Sequence, residues 1–230
     1  AAGRNAHKTF LTAAALLDLE IRWLYPARGG GYLSCDLSPG ELDAYLEEEK
    51  PAAVYLTSPD YLGHISDIRA LAEVCHKHGV LLAVDNAHGA YLKFLPQSQH
   101  PIDLGADLCC DSAHKTLPVL TQGSALLVGH NYTGLSPEPF LSVLQTTSPS
   151  YLIMASLEAG NIYMGTDGHK YIDRSLETIL ALHSRITDEL STLSVLWKEE
   201  WHQDPFKLYI TSAHLSGADM DEYLREQFAI

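Results

Sequence analysis

The strongest constraint on the fold is a regular alternation between short apolar runs and longer helical patterns. Runs such as "AAVYLTSP", "VLLAVDNA", "ADLCCDSA" and "SALLVG" have the continuous apolar character of strands buried in a parallel sheet. Segments such as "PGELDAYLEEE" and "SDIRALAEVCHKHG" lie between them and resemble helices with one apolar face. This alternation predicts an α/β fold in three layers, α/β/α, with a mostly parallel sheet.

Several helix ends can also be predicted. Ser38 is expected to cap a helix whose first residue is Pro39, Ser66 to cap the next helix, and Gly79 to end it. After residue 135 the pattern is mostly helical, with a late strand at 206–212. The other predicted segments are a helix "HKTFLTAAALLDLE", a strand "IRWLYP", a glycine-rich loop "ARGGGYLSCDLSPG", and helices in "SPEPFLSVLQTTS", "YLIMASLEAGNIYM", "HKYIDRSLETILALHSRITDEL" and "SGADMDEYLREQF".

Size and charge limit the class of protein. The chain has 230 residues, 46% of them hydrophobic, which supports one sizeable domain and part of a second. Its 29 acidic residues against 15 basic ones give a formal net charge of -14, so we expect no nucleic-acid partner. A small cationic substrate is compatible with this charge.

The cysteines and histidines favour neither disulfides nor a metal site. The four cysteines include no CxxC pair and are predicted to be reduced core thiols of a cytoplasmic protein, with Cys109 and Cys110 on opposite faces of a strand. Twelve histidines show no HExxH spacing, so no structural metal is expected. No apolar run approaches the ~20 residues that span a bilayer, and no membrane association is predicted.

Reactive side chains follow two of the predicted strands. Asp85 and His88 come after "LLAV", and Ser112, His114 and Lys115 come after "DLCC". Each alone has an ordinary explanation, such as a turn-starting aspartate or a solvated loop lysine. Because the carboxyl ends of parallel strands meet at one edge, we expect an amine and a carboxylate to converge there. Pyridoxal phosphate chemistry needs such a pair.

The sequence resembles the major domain of the ornithine/lysine/arginine decarboxylase family. The matching stretches are "GRNAHKT", "TSPDYLGHISDI", "VDNAHGAYLKF", "DSAHKTLPVLTQGSALL", "LQTTSPSYLIMASLE" and "DPFKLYI", in the family's order. The resemblance implies the aspartate-aminotransferase-like fold of fold-type-I pyridoxal phosphate enzymes. It also implies a major domain at 1–200, with its N-terminal part missing, and the start of a small C-terminal α/β domain at 201–230.

The resemblance implies roles for individual residues. Lys115 resembles the lysine that forms the Schiff base with the cofactor, and Asp85 the partner of the pyridine nitrogen. His7 resembles the histidine that stacks on the ring, and Ala87 would pack against the other ring face. Together, Lys115, Asp85 and His7 are the expected catalytic residues.

Further positions are implied to contact the cofactor. Ser112 and His114 are similar to family positions near the phosphate, and His88 would lie at the edge of the pocket. Thr147 and Ser148 match a loop that reaches the phosphate of the neighbouring subunit's cofactor. A homodimer with shared active sites is therefore implied.

The implied activity is decarboxylation of lysine, ornithine or arginine to the corresponding amine. Two alternatives stay open: another fold-type-I pyridoxal phosphate reaction, either an aminotransferase or an aldolase-type lyase, and a non-catalytic remnant of the fold. The non-catalytic remnant is considered because the family's phosphate-binding loop would precede "RNAHK", where this sequence has only "AAG". The chain is expected to be truncated at both ends.

Overall fold

A computed structural model describes residues 1–27, 33–130, 132, 134, 136–195 and 203–229. The chain divides into two compact units, Ala1–His169 and Lys170–Ile230. The predicted domain boundary after residue 200 lies outside the described residues, and the assignment of 201–230 to a separate small domain stays a prediction. Part of the predicted glycine-rich loop, residues 28–32, also lies outside them.

The first unit contains a six-stranded sheet in the order β2-β1-β3-β4-β5-β6. The first five strands of this order run parallel and only β6, next to β5, runs antiparallel, which confirms the mostly parallel sheet. The strands are β1 (Ala2–Gly3), β2 (Trp23–Leu24), β3 (Ala53–Thr57), β4 (Leu81–Asp85), β5 (Leu108–Asp111) and β6 (Ala125–Val128).

Helices connect these strands and continue after the sheet. A 3-10 helix at Ala90–Phe94 follows β4, and a π-helical segment at Met164–Gly168 follows the last α-helix that lies wholly in the unit. The α-helices are α1 (Lys8–Leu16), α2 (Pro39–Glu48), α3 (Ile68–Lys77), α4 (Ala113–Thr116), α5 (Glu138–Leu144) and α6 (Tyr151–Tyr163).

The two faces of the sheet are packed differently. On one face, alternate residues of β3 and β4 are almost wholly buried in one core cluster with residues of α2 and α3. On the opposite face most residues are half-buried, although Thr57 is buried and Leu81 is exposed, and Phe10 of α1 stacks on Tyr55 of β3. Helices therefore lie on both faces, as the three-layer prediction requires. The core cluster comprises Leu24, Cys35, Leu37, Leu42, Leu46, Val54, Leu56, Ile68, Leu71, Ala72, Cys75, Val80, Leu82, Val84 and Ala106.

The second unit is built around one long helix and a small antiparallel sheet. Helix α7 (His169–Glu189) enters it from the first unit, β7 (Leu193–Val195) pairs with β8 (Ile210–Ser212), and α8 (Gly217–Phe228) follows. A capping box between Ser216 and Asp219 starts α8. Among all described residues, none of the helices combines the length and apolar character needed to cross a bilayer.

The predicted helix ends are confirmed in two cases and wrong in one. Ser38 caps α2, with Pro39 as its first residue, and Gly79 follows α3 with a positive φ of 68°. Ser66 does not cap α3, because Asp67 accepts the hydrogen bond from the Ala70 N–H at 3.1 Å instead. The carboxylate lies one residue nearer to the helix and reaches the same unpaired amide.

Two further predictions need correction. Cys109 is buried and Cys110 exposed, which confirms opposite faces, but Cys110 is then not a core thiol. The reason is that Cys110 lies on the face of the sheet opposite the core cluster. The strand predicted at 206–212 is shorter, beginning at Ile210, because its antiparallel partner β7 has only three residues.

Candidate active site

The candidate site lies at the carboxyl edge of the six-stranded sheet. Strands β1, β3, β4 and β5 are parallel neighbours, so the turns that follow them meet at this edge. These turns carry His7 after β1, Ser58 after β3, His88 after β4, and Lys115 after β5, while Asp85 is the last residue of β4. The topology therefore brings the predicted acid and the predicted lysine onto adjacent strand ends.

Asp85 is half-buried and its carboxylate accepts two hydrogen bonds. The Tyr55 hydroxyl donates to Oδ2 at 2.9 Å, and the Ala87 N–H donates to Oδ1 at 3.1 Å. Burial first, and then the negative charge of Asp85, raise the pKa of Tyr55 well above its ordinary value. Tyr55 therefore stays protonated and acts as the donor.

Lys115 lies in the short helix α4 and is exposed. Its Nζ is 3.5 Å from Nε2 of His88, at the outer limit for a hydrogen bond. Since an ammonium can only donate, Nε2 is the acceptor in this contact. The His88 ring packs edge-on against Tyr61, with centroids 5.5 Å apart. Among the described residues, Lys115 forms no ion pair with a carboxylate.

Cys110 lies next to Asp85, one of the predicted catalytic groups. It is the register partner of Asp85 in the neighbouring strand, so both side chains lie on the same face. Desolvation of the thiol by the surrounding protein raises its pKa most, and the negative charges of Asp85 and Asp111 raise it further. The positive charge of Lys115 lowers the pKa of the same thiol. Asp85 and Lys115 therefore both act electrostatically on one thiol.

A buried polar network on the opposite face of the sheet connects these turns, and it was not predicted from the sequence. Asn86, fully buried, donates from Nδ2 to Oδ1 of Asp111 at 2.7 Å. His100 Nδ1 accepts from the Ile102 N–H, so the ring proton lies on Nε2 and is donated to Asp111 Oδ2 at 2.9 Å. The available signal was the alternation in β5, which places Asp111 on the buried face, where a carboxylate needs partners.

The same network includes side chains that can ligate metals. The candidate ligand atoms of His100, Cys109 and Asp111 all lie within 4.8 Å of one another. Hydrogen bonds from Asn86 and His100 to the carboxylate account for the arrangement. The expectation that the chain has no structural metal stays a prediction.

The side chains of the other predicted site residues form no hydrogen bond to Asp85 or Lys115 among the described residues, although the Ser112 carbonyl accepts from the Lys115 N–H at 2.9 Å. His7 caps α1, with Nδ1 accepting from the Thr9 N–H at 3.3 Å. Ser112, half-buried, immediately precedes α4. The His114 ring donates from Nδ1 to the Gly123 carbonyl at 2.9 Å and so fixes the loop after α4.

Thr147 and Ser148 lie in the exposed segment between α5 and α6. The Ser148 N–H donates to the hydroxyl of Thr146, which gives this segment a local turn. Within the described hydrogen bonds of the chain, neither residue reaches the strand ends. Their predicted role concerns a second subunit, which a single chain does not test.

Comparison with solved structures identifies the class of fold. The Francisella novicida lysine decarboxylase matches with a TM-score of 0.81 at 18% identity, over 100% of this chain and 40% of that one. An alanine–glyoxylate aminotransferase from Nostoc sp. matches with a TM-score of 0.72 at 16% identity, over 98% of this chain and 63% of that one. The chain thus has the fold of the fold-type-I pyridoxal phosphate enzymes.

The sequence comparisons then give the family. The family described as "Orn/Lys/Arg decarboxylase, major domain" matches residues 2–223, and the chain belongs to this family. It is 29% identical to the arginine decarboxylase of Bacillus subtilis (strain 168) over 99% of this chain and 49% of that protein. The chain spans about half the length of the curated arginine decarboxylases that it matches.

Proposed function

We propose that the protein decarboxylates a basic amino acid, with pyridoxal 5'-phosphate held by Lys115. The observation that carries the proposal is the placement of Asp85 and Lys115 after adjacent parallel strands at one edge of the sheet. In this family, an amine and a carboxylate in this relation are the groups that the cofactor requires at its aldehyde and at its ring nitrogen.

The residues present fit this cofactor. The Asp85 oxygens each accept one hydrogen bond and each keep a further lone pair for a ring N–H. Thr57, the register partner of Asp85, is buried, and its hydroxyl has no hydrogen-bond partner among the described residues. The Lys115 amine is exposed, and its Nζ lies 3.5 Å from Nε2 of His88. A carboxylate and an unsatisfied hydroxyl therefore lie side by side on one face of the sheet, and the amine follows the adjacent strand.

Each residue has a definite task in this proposal. Bound pyridoxal phosphate supplies a ring that withdraws the electron pair left on the substrate carbon when carbon dioxide leaves. Asp85 would keep the ring nitrogen protonated, and Lys115 would hold the cofactor aldehyde. His88 Nε2, 3.5 Å from Lys115 Nζ, would accept the proton that the ammonium must lose before it can bind a carbonyl carbon.

The remaining predicted residues would bind and orient the cofactor. His7 would stack on one ring face, and Ala87 would pack against the other. Ser112 and His114 would lie near the phosphate. Thr147 and Ser148 would reach the phosphate of the partner subunit's cofactor.

A homodimer is part of the proposal. Large apolar residues of α5 and α6 are exposed on either side of the segment that carries Thr147 and Ser148, and such a cluster is typical of an interaction surface. Leu144→Asp, at a residue that is 85% exposed, should convert a dimer to monomers in sedimentation without changing the circular dichroism spectrum. The exposed residues are Phe140, Val143, Leu144, Tyr151 and Leu152.

The substrate is proposed by class. The relatives compared above are named as arginine and lysine decarboxylases, and the net charge of -14 suits a cationic substrate. The likeness to the Nostoc aminotransferase in fold keeps transamination as the second candidate. A cytoplasmic location stays a prediction.

The decisive assay follows the carboxyl carbon. Purified protein with pyridoxal phosphate should release labelled carbon dioxide from carboxyl-labelled arginine, lysine or ornithine and form the matching amine. Lys115→Ala should abolish this release, whereas Lys93→Ala, which removes an exposed lysine paired with Asp103, should not. Formation of an α-keto acid without carbon dioxide would favour transamination, and neither product would favour the non-catalytic remnant.

A further inference from the structure

We propose that Tyr55 is a positioning residue, whose hydroxyl holds the Asp85 carboxylate in the orientation needed to pair with the ring nitrogen of the cofactor. The inference rests on the proposed function, because it concerns the partner that Asp85 would have there. Neither the apolar character of "AAVYLTSP" nor the family stretches pointed to this residue.

The geometry fixes both oxygens of the carboxylate. Tyr55 lies on the same sheet face as Asp85, in the neighbouring strand and two residues before Thr57, the register partner of Asp85. Its hydroxyl donates to Oδ2 at 2.9 Å, while the Ala87 N–H donates to Oδ1 at 3.1 Å. With one donor on each oxygen, the carboxylate plane is held between β3 and the turn after β4.

The phenol ring is itself held in place. Phe10 stacks on Tyr55 with ring centroids 4.2 Å apart and an interplanar angle of 21°. Phe10 also packs edge-on against Trp23, with ring centroids 6.4 Å apart. Phe10 lies in the first turn of α1, the helix that His7 caps, so this aromatic contact also links the predicted stacking histidine to the support of Asp85.

The protonation state suits a donor. Burial and the adjacent carboxylate raise the pKa of Tyr55, so the hydroxyl keeps its proton throughout the range in which the enzyme would work. A hydrogen bond to a charged group is stronger than one between neutral groups, which makes its loss measurable.

The test compares two cofactors that differ at one atom. In 1-deazapyridoxal 5'-phosphate, carbon replaces the ring nitrogen, so no ring N–H can pair with Asp85. Tyr55→Phe keeps the ring and its stack on Phe10 but removes the hydroxyl. We expect this variant to bind pyridoxal phosphate about tenfold more weakly than the wild type does in a fluorescence titration. The variant and the wild type should bind the deaza analogue with the same affinity.

Two variants complete the design. Tyr45→Phe removes a buried hydroxyl that has no hydrogen-bond partner among the described residues, and it should leave both affinities unchanged. In an Asp85→Asn background, Tyr55→Phe should have no further effect on either cofactor affinity, because the charged carboxylate that Tyr55 would position is already absent. Thermal unfolding of each variant verifies that it is folded.

The outcomes separate this inference from the proposed function. Equal loss for both cofactors, or loss for neither, would overturn the role of Tyr55 while leaving Lys115 and Asp85 in place. A wild-type protein that binds neither cofactor would overturn the proposed function and this inference together. Selective loss of pyridoxal phosphate binding in Tyr55→Phe, absent in Tyr45→Phe, supports the inference.

Discussion

Asn86 donates a hydrogen bond of 2.7 Å to Asp111, and this contact joins the two turns that follow β4 and β5. Asn86 stands between Asp85 and Ala87, while Asp111 ends the strand that leads to Lys115. Both side chains of the contact are buried. The relative position of the predicted acid and the predicted lysine therefore depends on a polar contact on the opposite, buried face of the sheet.

Removing this contact should destabilise the protein. Asn86→Ala leaves the buried Asp111 carboxylate one donor short, which we expect to lower the free energy of unfolding by about 1–3 kcal/mol. Urea denaturation measures the change. Asn161→Ala, in an exposed part of α6, should stay within about 0.5 kcal/mol of the wild type, and an equal effect of both substitutions would contradict the prediction.

Gly89 should tolerate no side chain. A Cβ at this position would lie 2.1 Å from Oδ1 of Asn86 and 2.6 Å from Cδ of Pro59, so the turn after β4 would have to move. We expect Gly89→Ala to lower the free energy of unfolding by about 1–3 kcal/mol and to weaken cofactor binding.

Gly40 is the matched control for Gly89. It lies in α2, and a Cβ there would meet nothing within 4 Å. Gly40→Ala should therefore raise the free energy of unfolding by up to about 1 kcal/mol, because alanine favours the helix. Stabilisation by Gly89→Ala as well would show that the close approach to Asn86 is absent.

Because of an ion pair between α2 and the end of α3, the free energy of unfolding should vary with pH in the acid range. Lys77 donates to both oxygens of Asp43, at 2.8 and 2.9 Å, and His78 Nε2 lies 2.7 Å from Oδ1. The hydrogen bonds from Lys77 and then from His78 hold the pKa of Asp43 below its ordinary value.

The sign of the pH effect follows from this direction. Because the folded pKa of Asp43 is lower than the unfolded one, its contribution is present above about pH 4 and is lost as the pH falls through the folded pKa. Asp43→Asn should therefore flatten the fall in stability between about pH 5 and pH 2, measured by urea denaturation at each pH. An unchanged pH profile in the variant would contradict the assignment.

The sequence predicts most of the sheet because its central strands are continuous apolar runs. The runs before Thr57 and Asp85 have the length and continuous apolar character of buried parallel strands, and their polar ends indicated the edge where the candidate site lies. Strands β1 and β7, with two and three residues, were not predicted, because such short segments show no periodicity and are defined by their partners.

The supporting residues of the site were beyond prediction for a related reason. Tyr55 reads as one more apolar residue of a strand, and only the register between β3 and β4 brings its hydroxyl to Asp85. His100 lies in a connecting segment eleven residues before Asp111, at a spacing that follows no helical or strand period. Pairings across the chain, unlike residue types at strand ends, require the tertiary structure.

The central claim is that Lys115 holds the cofactor, and a covalent map tests it most directly. The protein is mixed with pyridoxal phosphate, reduced with borohydride, digested, and analysed by mass spectrometry. We predict that the cofactor is found on the peptide carrying Lys115 and is lost from that peptide in Lys115→Ala, while Lys93→Ala changes nothing. Modification spread over surface lysines, or retained in full when Lys115 is replaced, would contradict the account.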